Sequence, residues 1–170
     1  MRIHVELEDG LLPDRFGKYA PAKDTVQHHP VRSFPIEIEG VPENAASLAL
    51  TFLDWDAVPV GGFCWIHWTT CDIDPTCSLI PEDASRTGAV AMTQGKNSDW
   101  SPLAGSIDDK RIVERYAGPC PPDKTHSYTL TVYALDTKLG LKTGFYANEL
   151  RHAMAGHVLD SASLELPSRA

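Results

Sequence analysis

SLALTFLDWDAVPVGGFCWIHWTTCDI, residues 47–73, is the stretch that decides the fold class. Side chains alternate along a strand, so residues 47–54 place Leu48, Leu50 and Phe52 on one face in line with Asp54. Ala49, Thr51 and Leu53 take the other face. Apolar residues on both faces predict a central strand. Pro59 and the Gly61–Gly62 pair then mark a loop over 56–62. Residues 63–73 predict the next strand, and strict alternation puts Trp65, His67, Thr69 and Cys71 on one face. Cys64, Ile66, Trp68 and Thr70 fall on the other. The turn is entered through two carboxylates, Asp54 and Asp56, and His67 lies among tryptophans. This is the pattern of a polar pocket in an apolar core.

Working outward, residues 2–8 alternate Ile3, Val5 and Leu7 with charged residues and predict a half-exposed strand. Residues 9–33 are polar and contain Pro13, Gly17, Pro21 and Pro30, which predicts a long surface connection with His28 and His29 as solvated loop residues. Residues 34–41 predict a short strand, 74–88 a loop and 89–94 a short strand. Residues 95–117 predict a long irregular loop, a length that in a compact domain usually goes with function or disorder. GPCPPDKT is a stiff proline turn. It leads into the clearest strand, residues 126–136, with His126, Tyr128, Leu130 and Val132 on one face. Residues 143–156 predict the single helix, with Gly156 as its stop, and HVLDSASLEL closes the chain as a strand. The chain is thus expected to be all-β, an antiparallel β-sandwich with a C-terminal helix and one long irregular loop, in a single domain spanning 1–170.

The 170 residues suffice for one ordinary core, and the formal net charge is −8. That balance argues against nucleic acid or an anionic membrane as a main partner, since neutralising phosphates takes clustered Lys and Arg. It leaves room for one small anion in a local pocket. No run approaches the ~18 apolar residues of a membrane span. The N-terminal MRIHVELEDG has no apolar h-region, so a cytoplasmic location is expected. Cys64, Cys71, Cys77 and Cys120 show no C-x-x-C spacing and read as reduced thiols rather than a zinc knuckle.

His67, His126, Tyr128, Asp54 and Asp56 all fall near strand ends or loops, where binding groups are commonly placed. No HExxH-like spacing supports a metal. No serine sits in a G-x-S-x-G elbow and no cysteine is poised beside a histidine, so an activated nucleophile is missing. A protonated histidine, a tyrosine hydroxyl and turn N–H groups are donors toward phosphate or carboxylate. Asp54 and Asp56 would then orient a histidine or the loop. Each residue alone also has an ordinary structural reading, as a bonded core histidine or a turn-forming aspartate.

Several motifs in order resemble the phosphatidylethanolamine-binding proteins, in particular their bacterial Raf kinase inhibitor-like branch. They are LALTFLDWDAVP (48–59), WIHW (65–68), GPCPPDKTHSYTLTVYALD (118–136) and MAGHVLDSASLEL (154–166), with GVPENAASLAL (40–50) also fitting. The resemblance covers roughly residues 34–166. It implies a β-sandwich with a small anion pocket at one end that takes phosphate-like groups. Carried over by position, the ligand-binding residues are Asp54, Asp56, His67, Gly118, Pro121, His126 and Tyr128, with no catalytic residue, no metal and no cofactor. Trp55 replaces the family's first proline in the acid motif, Val58 is inserted before Pro59, and Ser127 replaces a common arginine.

The expected function is therefore non-enzymatic binding of a small phosphate-bearing or other anionic ligand. Modulation of a protein partner, a kinase or a protease, follows by family analogy alone. A rival reading is a protease inhibitor or protein-interaction module built on the pocket rim and the 95–117 loop. A hydrolase on the same Asp and His groups is the third. A homodimer through an edge strand or that loop is compatible with all three.

Overall fold

A computed structural model describes residues 1–170, with every side chain except that of Ala104. Its strands are β1 (Arg2–His4), β2 (Thr25–Val26), β3 (His29–Pro30), β4 (Ile36–Glu39), β5 (Ser47–Asp54), β6 (Trp65–Ile73), β7 (Leu79–Ile80), β8 (Thr93–Gln94), β9 (His126–Leu135) and β10 (Val158–Ser168). Helical segments are short: α1 (Val58–Gly61), α2 (Ala84–Thr87), α3 (Lys110–Val113) and α4 (Ala147–Ala153).

Five antiparallel strands form the main sheet in the order β10-β9-β5-β6-β8, and a three-stranded sheet β1-β4-β7 faces it. β5 is thus central, as its two apolar faces require. Between the sheets lies a core in which Ile36, Ile38 and Ile80 meet Leu48, Leu50, Phe52, Leu130, Val132 and Leu166. The opposite face of the main sheet buries Ala49, Cys71 and Leu135 under Phe145, Leu150 and Met154. Both faces of the sheet are therefore removed from water, which accounts for the apolar double face of β5. The chain is an all-β sandwich with a small C-terminal helix. No helix among the described residues is long and apolar enough to cross a membrane.

Two expectations need correction and a third, the irregular segment 95–117, gains detail. The helix expected over 143–156 is only Ala147–Ala153. Gly144 at φ 83° turns the chain before it, and the Glu149 carboxylate accepts the Tyr146 N–H to set its first turn. Residues 9–33 are not a loose surface connection: Phe16, Val31 and the carboxylate-bearing Asp24 are buried, and Arg32 binds Asp24 at 2.7 Å. Residues 95–117 lack long elements but are packed onto the sheet. Ile112, Val113 and Tyr116 are buried, and Tyr116 donates to the Phe16 carbonyl at 2.7 Å.

Strict alternation also fails along β6. Phe52 pairs with Trp68 and Leu53 with Ile66, so His67 is an extra residue in the ladder, a β-bulge. The bulge turns His67 and its neighbour Trp68 to the same side: His67 packs on Phe52 and Trp68 on Tyr116. Thr69 and Cys71 are left for the outer face, where Cys71 joins the cluster beneath α4. A second shift in the ladder, opposite Leu48 and Leu50, brings Ile73 back into the inter-sheet core.

Candidate functional site

At one end of the sheet a cavity of about 350 Å³ opens between the β5–β6 turn, the β2–β3 hairpin and the start of β9. The ladder explains why chemistry gathers here. Asp54, the last residue of β5, pairs with Tyr128 on one side and Trp65 on the other. Paired residues share a face, so all three look inward, and His126 follows two residues beyond Tyr128 on the same face. His67, two residues after Trp65, shares that face by alternation, and the bulge adds Trp68 beside it.

Asp54 has two tasks. One carboxylate oxygen, Oδ1, accepts the Ala57 N–H at 3.1 Å and sets the turn into α1. The other, Oδ2, accepts from His126 Nδ1 at 2.7 Å. The turn then closes through Gly62, left-handed at φ 87°. Trp55 and the additional Val58 are absorbed here: α1 is a single helical turn with Pro59 in its first residues.

His126 is held on both sides, since its Nε2 lies 2.9 Å from Asp123 Oδ1. Two carboxylates on two ring nitrogens require both nitrogens to donate, so the ring is an imidazolium. Burial works against the charge, but the bonds to Asp54 and Asp123 outweigh it and raise the His126 pKa above the ordinary 6.5. His67 differs. Its Nδ1 bonds the Ala117 carbonyl at 2.8 Å, and burial holds its pKa below 6.5 despite that bond and the nearby Asp54 and Asp99 charges. A neutral ring that donates from Nδ1 presents Nε2 as an acceptor. Tyr128 packs edge-on to His67 with centroids 5.0 Å apart, and burial foremost raises its phenol pKa.

Of the seven residues expected at the site, five line this cavity: Asp54, His67, Gly118, His126 and Tyr128. Asp56 and Pro121 stand behind the wall. Asp56 accepts the Ser127 N–H at 2.9 Å and ties the turn to β9. Pro121 is buried, and its carbonyl accepts Lys18 Nζ at 3.0 Å. Both therefore support the wall.

Among the lining residues outside that set, three carry an imidazole or a carboxylate. His28 and His29, expected in solvent, reach the cavity from the β2–β3 hairpin. Its two-residue turn has Gln27 at φ 48° and His28 at φ 72°, positive values that the two-residue hairpin geometry demands and that bulky residues rarely adopt. His29 Nδ1 faces Asp99 Oδ2 at 3.3 Å. Asp99, from the packed 95–117 segment, is the third. The signal for the hairpin lay in the residues after it: Pro30, Val31 and Phe34 put three apolar residues within five, dense for a solvated connection. No comparable signal marks Asp99.

The lining thus combines four imidazoles, two carboxylates and the apolar Val60, Phe63 and Trp65, with no lysine or arginine among the described residues. Cys120 is exposed as a residue, yet the protein packed around its thiol, together with the Asp99 charge, pushes that thiol up to about 11. No cluster of three or more His, Cys, Asp or Glu among the described residues is placed to hold a metal ion.

Residues 4–168 match the sequence model of the phosphatidylethanolamine-binding protein family. The chain belongs to this family. The uncharacterised protein YxkA of Bacillus subtilis is 50% identical over 169 residues, covering 99% of each chain. A UPF0098 protein of Pyrococcus abyssi is 37% identical over 150 residues, 86% of this chain and 76% of that one. Among solved structures, a putative phosphatidylethanolamine-binding protein homologue of Chlamydia trachomatis superposes with a TM-score of 0.78 at 25% identity, covering 99% of this chain and 97% of that one. YbcL of Escherichia coli, described as a member of the mammalian family, superposes at 0.76 and 23% identity over 99% and 98% of the two chains, and shows the shared fold.

Proposed function

We propose that this family member is a non-catalytic binding protein whose cavity takes a small, phosphate-bearing anion. The observation that carries the reading is His126, a buried imidazolium in the wall of an otherwise largely apolar cavity. Its two N–H groups are held by Asp54 and Asp123, and a charged ring in a low-dielectric wall binds an anionic acceptor more strongly than the same ring in water would. His67 Nε2 and the Tyr128 hydroxyl add donors, His67 once it takes up a proton. A ligand that also carries an ammonium group has a partner in Asp99.

Non-catalytic binding rests on the nucleophiles. A thiol held near 11 is not a thiolate at neutral pH, and burial keeps the Tyr128 phenol protonated. The test is a titration of the protein with inorganic phosphate and with O-phosphorylethanolamine, followed by the imidazole resonances of His67 and His126. Both should move and saturate at millimolar ligand; stationary resonances would sink the reading. Turnover of a phosphate ester that disappears in His67→Ala would replace it with a hydrolase.

A second reading, interaction with a protein such as a kinase or protease, is favoured by the lip of the cavity. Trp55, Val58 and Val60 on the β5–β6 turn are all exposed, and apolar side chains grouped in one exposed patch mark a contact surface. The 95–117 segment carries buried Tyr116, so the lip is the part to alter. Trp55→Ser with Val58→Ser, at two exposed positions outside the cavity lining, should abolish partner capture while phosphate still binds; an unchanged set of captured proteins would remove this reading.

A further inference from the structure

The two carboxylates on His126 are unequal. Asp54 is inside the protein, its side chain 5% exposed, and its second oxygen is committed to the Ala57 N–H. Asp123 is 51% exposed and sits three residues before His126, on the bend that follows Pro121 and Pro122. Its Oδ1 bonds His126 Nε2, and the salt bridge to that ring is the one ion pair it makes among the described residues. An ion pair with one partner in water is worth little, because solvent competes for the exposed charge. The ring it covers is only 1% exposed and lines the cavity, as does the neighbouring Pro122. His126 therefore has one buried carboxylate partner and one exposed one, and the ring itself belongs to the cavity lining while Asp123 does not.

We propose that Asp123 is a tethered competitor: its carboxylate holds the position on His126 Nε2 that an incoming anion takes, so that ligand binding exchanges one anion for the other. The exchange conserves charge at the ring. The imidazolium is kept by Asp54 throughout, and a phosphate oxygen replaces the Asp123 oxygen as acceptor of the Nε2–H. Asp123 moves into solvent, where a carboxylate is at home. The arrangement keeps a buried cation paired at every stage, avoiding an unpaired buried charge. It also sets the affinity, because the ligand must outcompete a carboxylate held in place by the chain. This inference rests on the anion-binding reading above.

The test uses inorganic phosphate with the full-length protein at about pH 6, where a histidine with a raised pKa stays charged. Removing the competitor in Asp123→Ala should tighten phosphate binding roughly fivefold, the equivalent of one weak exposed ion pair. Asp123→Asn, which keeps a neutral acceptor, should fall between the two. Asp136→Ala removes an equally exposed carboxylate paired with His157 beyond the far end of β9, and should leave the dissociation constant unchanged. In wild-type protein, saturating phosphate should shift the Asp123 carboxyl carbon toward its solvent value, which keeps the proposal testable even if a variant folds poorly. Wild-type binding with no gain in Asp123→Ala, an equal gain in Asp136→Ala, or an unmoved Asp123 carboxyl would each overturn it. If neither wild type nor Asp123→Ala binds phosphate, the anion reading itself fails and takes this inference with it.

Discussion

Asp54 and His126, 72 residues apart in the chain, are joined directly: Oδ2 accepts from Nδ1 at 2.7 Å with both side chains buried. The pairing of Asp54 with Tyr128 in the β5–β9 ladder fixes this meeting, since it carries His126 past the end of β5 and onto the inward face. The bond turns a fold-level feature, strand register, into an electrostatic one, a charged ring in the wall of a cavity.

Asp54→Asn should break that link without changing shape. The amide can still accept the Ala57 N–H, but it no longer neutralises the imidazolium. Losing one partner of a buried pair costs about 3–5 kcal/mol, and partial compensation by Asp123 places the expected loss near the lower end. Urea unfolding would read the loss, and the His126 resonances should titrate at a lower pH than in wild type. A variant with wild-type stability and an unmoved His126 titration would show that the pair contributes little.

Stability should depend on pH through the same ring. The His126 pKa is raised in the folded protein, so the folded state binds the proton more tightly than the unfolded chain does. Its stabilisation is complete below the unfolded value of about 6.5 and is lost as pH rises through the raised folded value. His67 has the opposite sign. Its folded pKa is lowered, so stability falls as pH drops below about 6.5 and the unfolded chain takes up a proton that the buried ring refuses. Urea midpoints measured across pH should therefore decline on the alkaline side in wild type and lose that decline in His126→Gln. His67→Gln should flatten the acid side.

What was readable in the sequence follows from how local each signal is. The bounds of β5 were legible because Ser47 to Asp54 is apolar on both faces between a Pro/Asn turn and a Pro/Gly turn. Asp54, His67, Gly118, His126 and Tyr128 could be grouped because each sits at a strand end or a proline turn and because their motifs recur in a known family. The bulge at His67 was not legible. Nothing in WIHW announces an extra residue, and alternation alone placed Trp68 on the wrong face. The Ser98 hydroxyl that accepts the Ile66 N–H at 2.8 Å beside the bulge comes from 32 residues away. Asp99 was hidden for the same reason: its place in the cavity depends on how residues 95–117 pack, held by Asn97 donating to the Ile112 and Arg115 carbonyls. Long-range packing decided these positions, and no short window of residues contains it.

Anion binding should take up a proton at His67. The ring donates from Nδ1 to the Ala117 carbonyl, so Nε2 can donate to a ligand only after the ring becomes an imidazolium. Burial opposes that charge and an anion beside it favours it, so ligand and proton bind together. Sulfate is the cleaner probe, because it does not titrate near neutrality. Its affinity should weaken as pH rises, and calorimetry in buffers of different ionisation enthalpy should report net proton uptake. In His67→Gln both effects should shrink. Affinity independent of pH in wild type would mean that His67 does not donate to the anion.

The wall of the cavity depends on a close approach that only glycine permits, and this gives the sharpest steric test. Gly118 donates its N–H to the Pro30 carbonyl at 2.8 Å. A methyl group there would lie 2.4 Å from the Phe16 carbonyl oxygen and 2.7 Å from Pro30 Cβ. Neither neighbour is the free end of a flexible side chain, so the β2–β3 hairpin must move, carrying His28 and His29 with it. Gly118→Ala should cost about 1–3 kcal/mol, as overpacking generally does, and should also weaken phosphate binding. Gly140→Ala separates the two effects. That glycine has φ 62° and open space around its added methyl, so the variant should pay only backbone strain of about 1–2 kcal/mol and bind phosphate as wild type does. If the two variants lose similar stability and both keep full affinity, the contact between Gly118 and Pro30 is not what shapes the cavity.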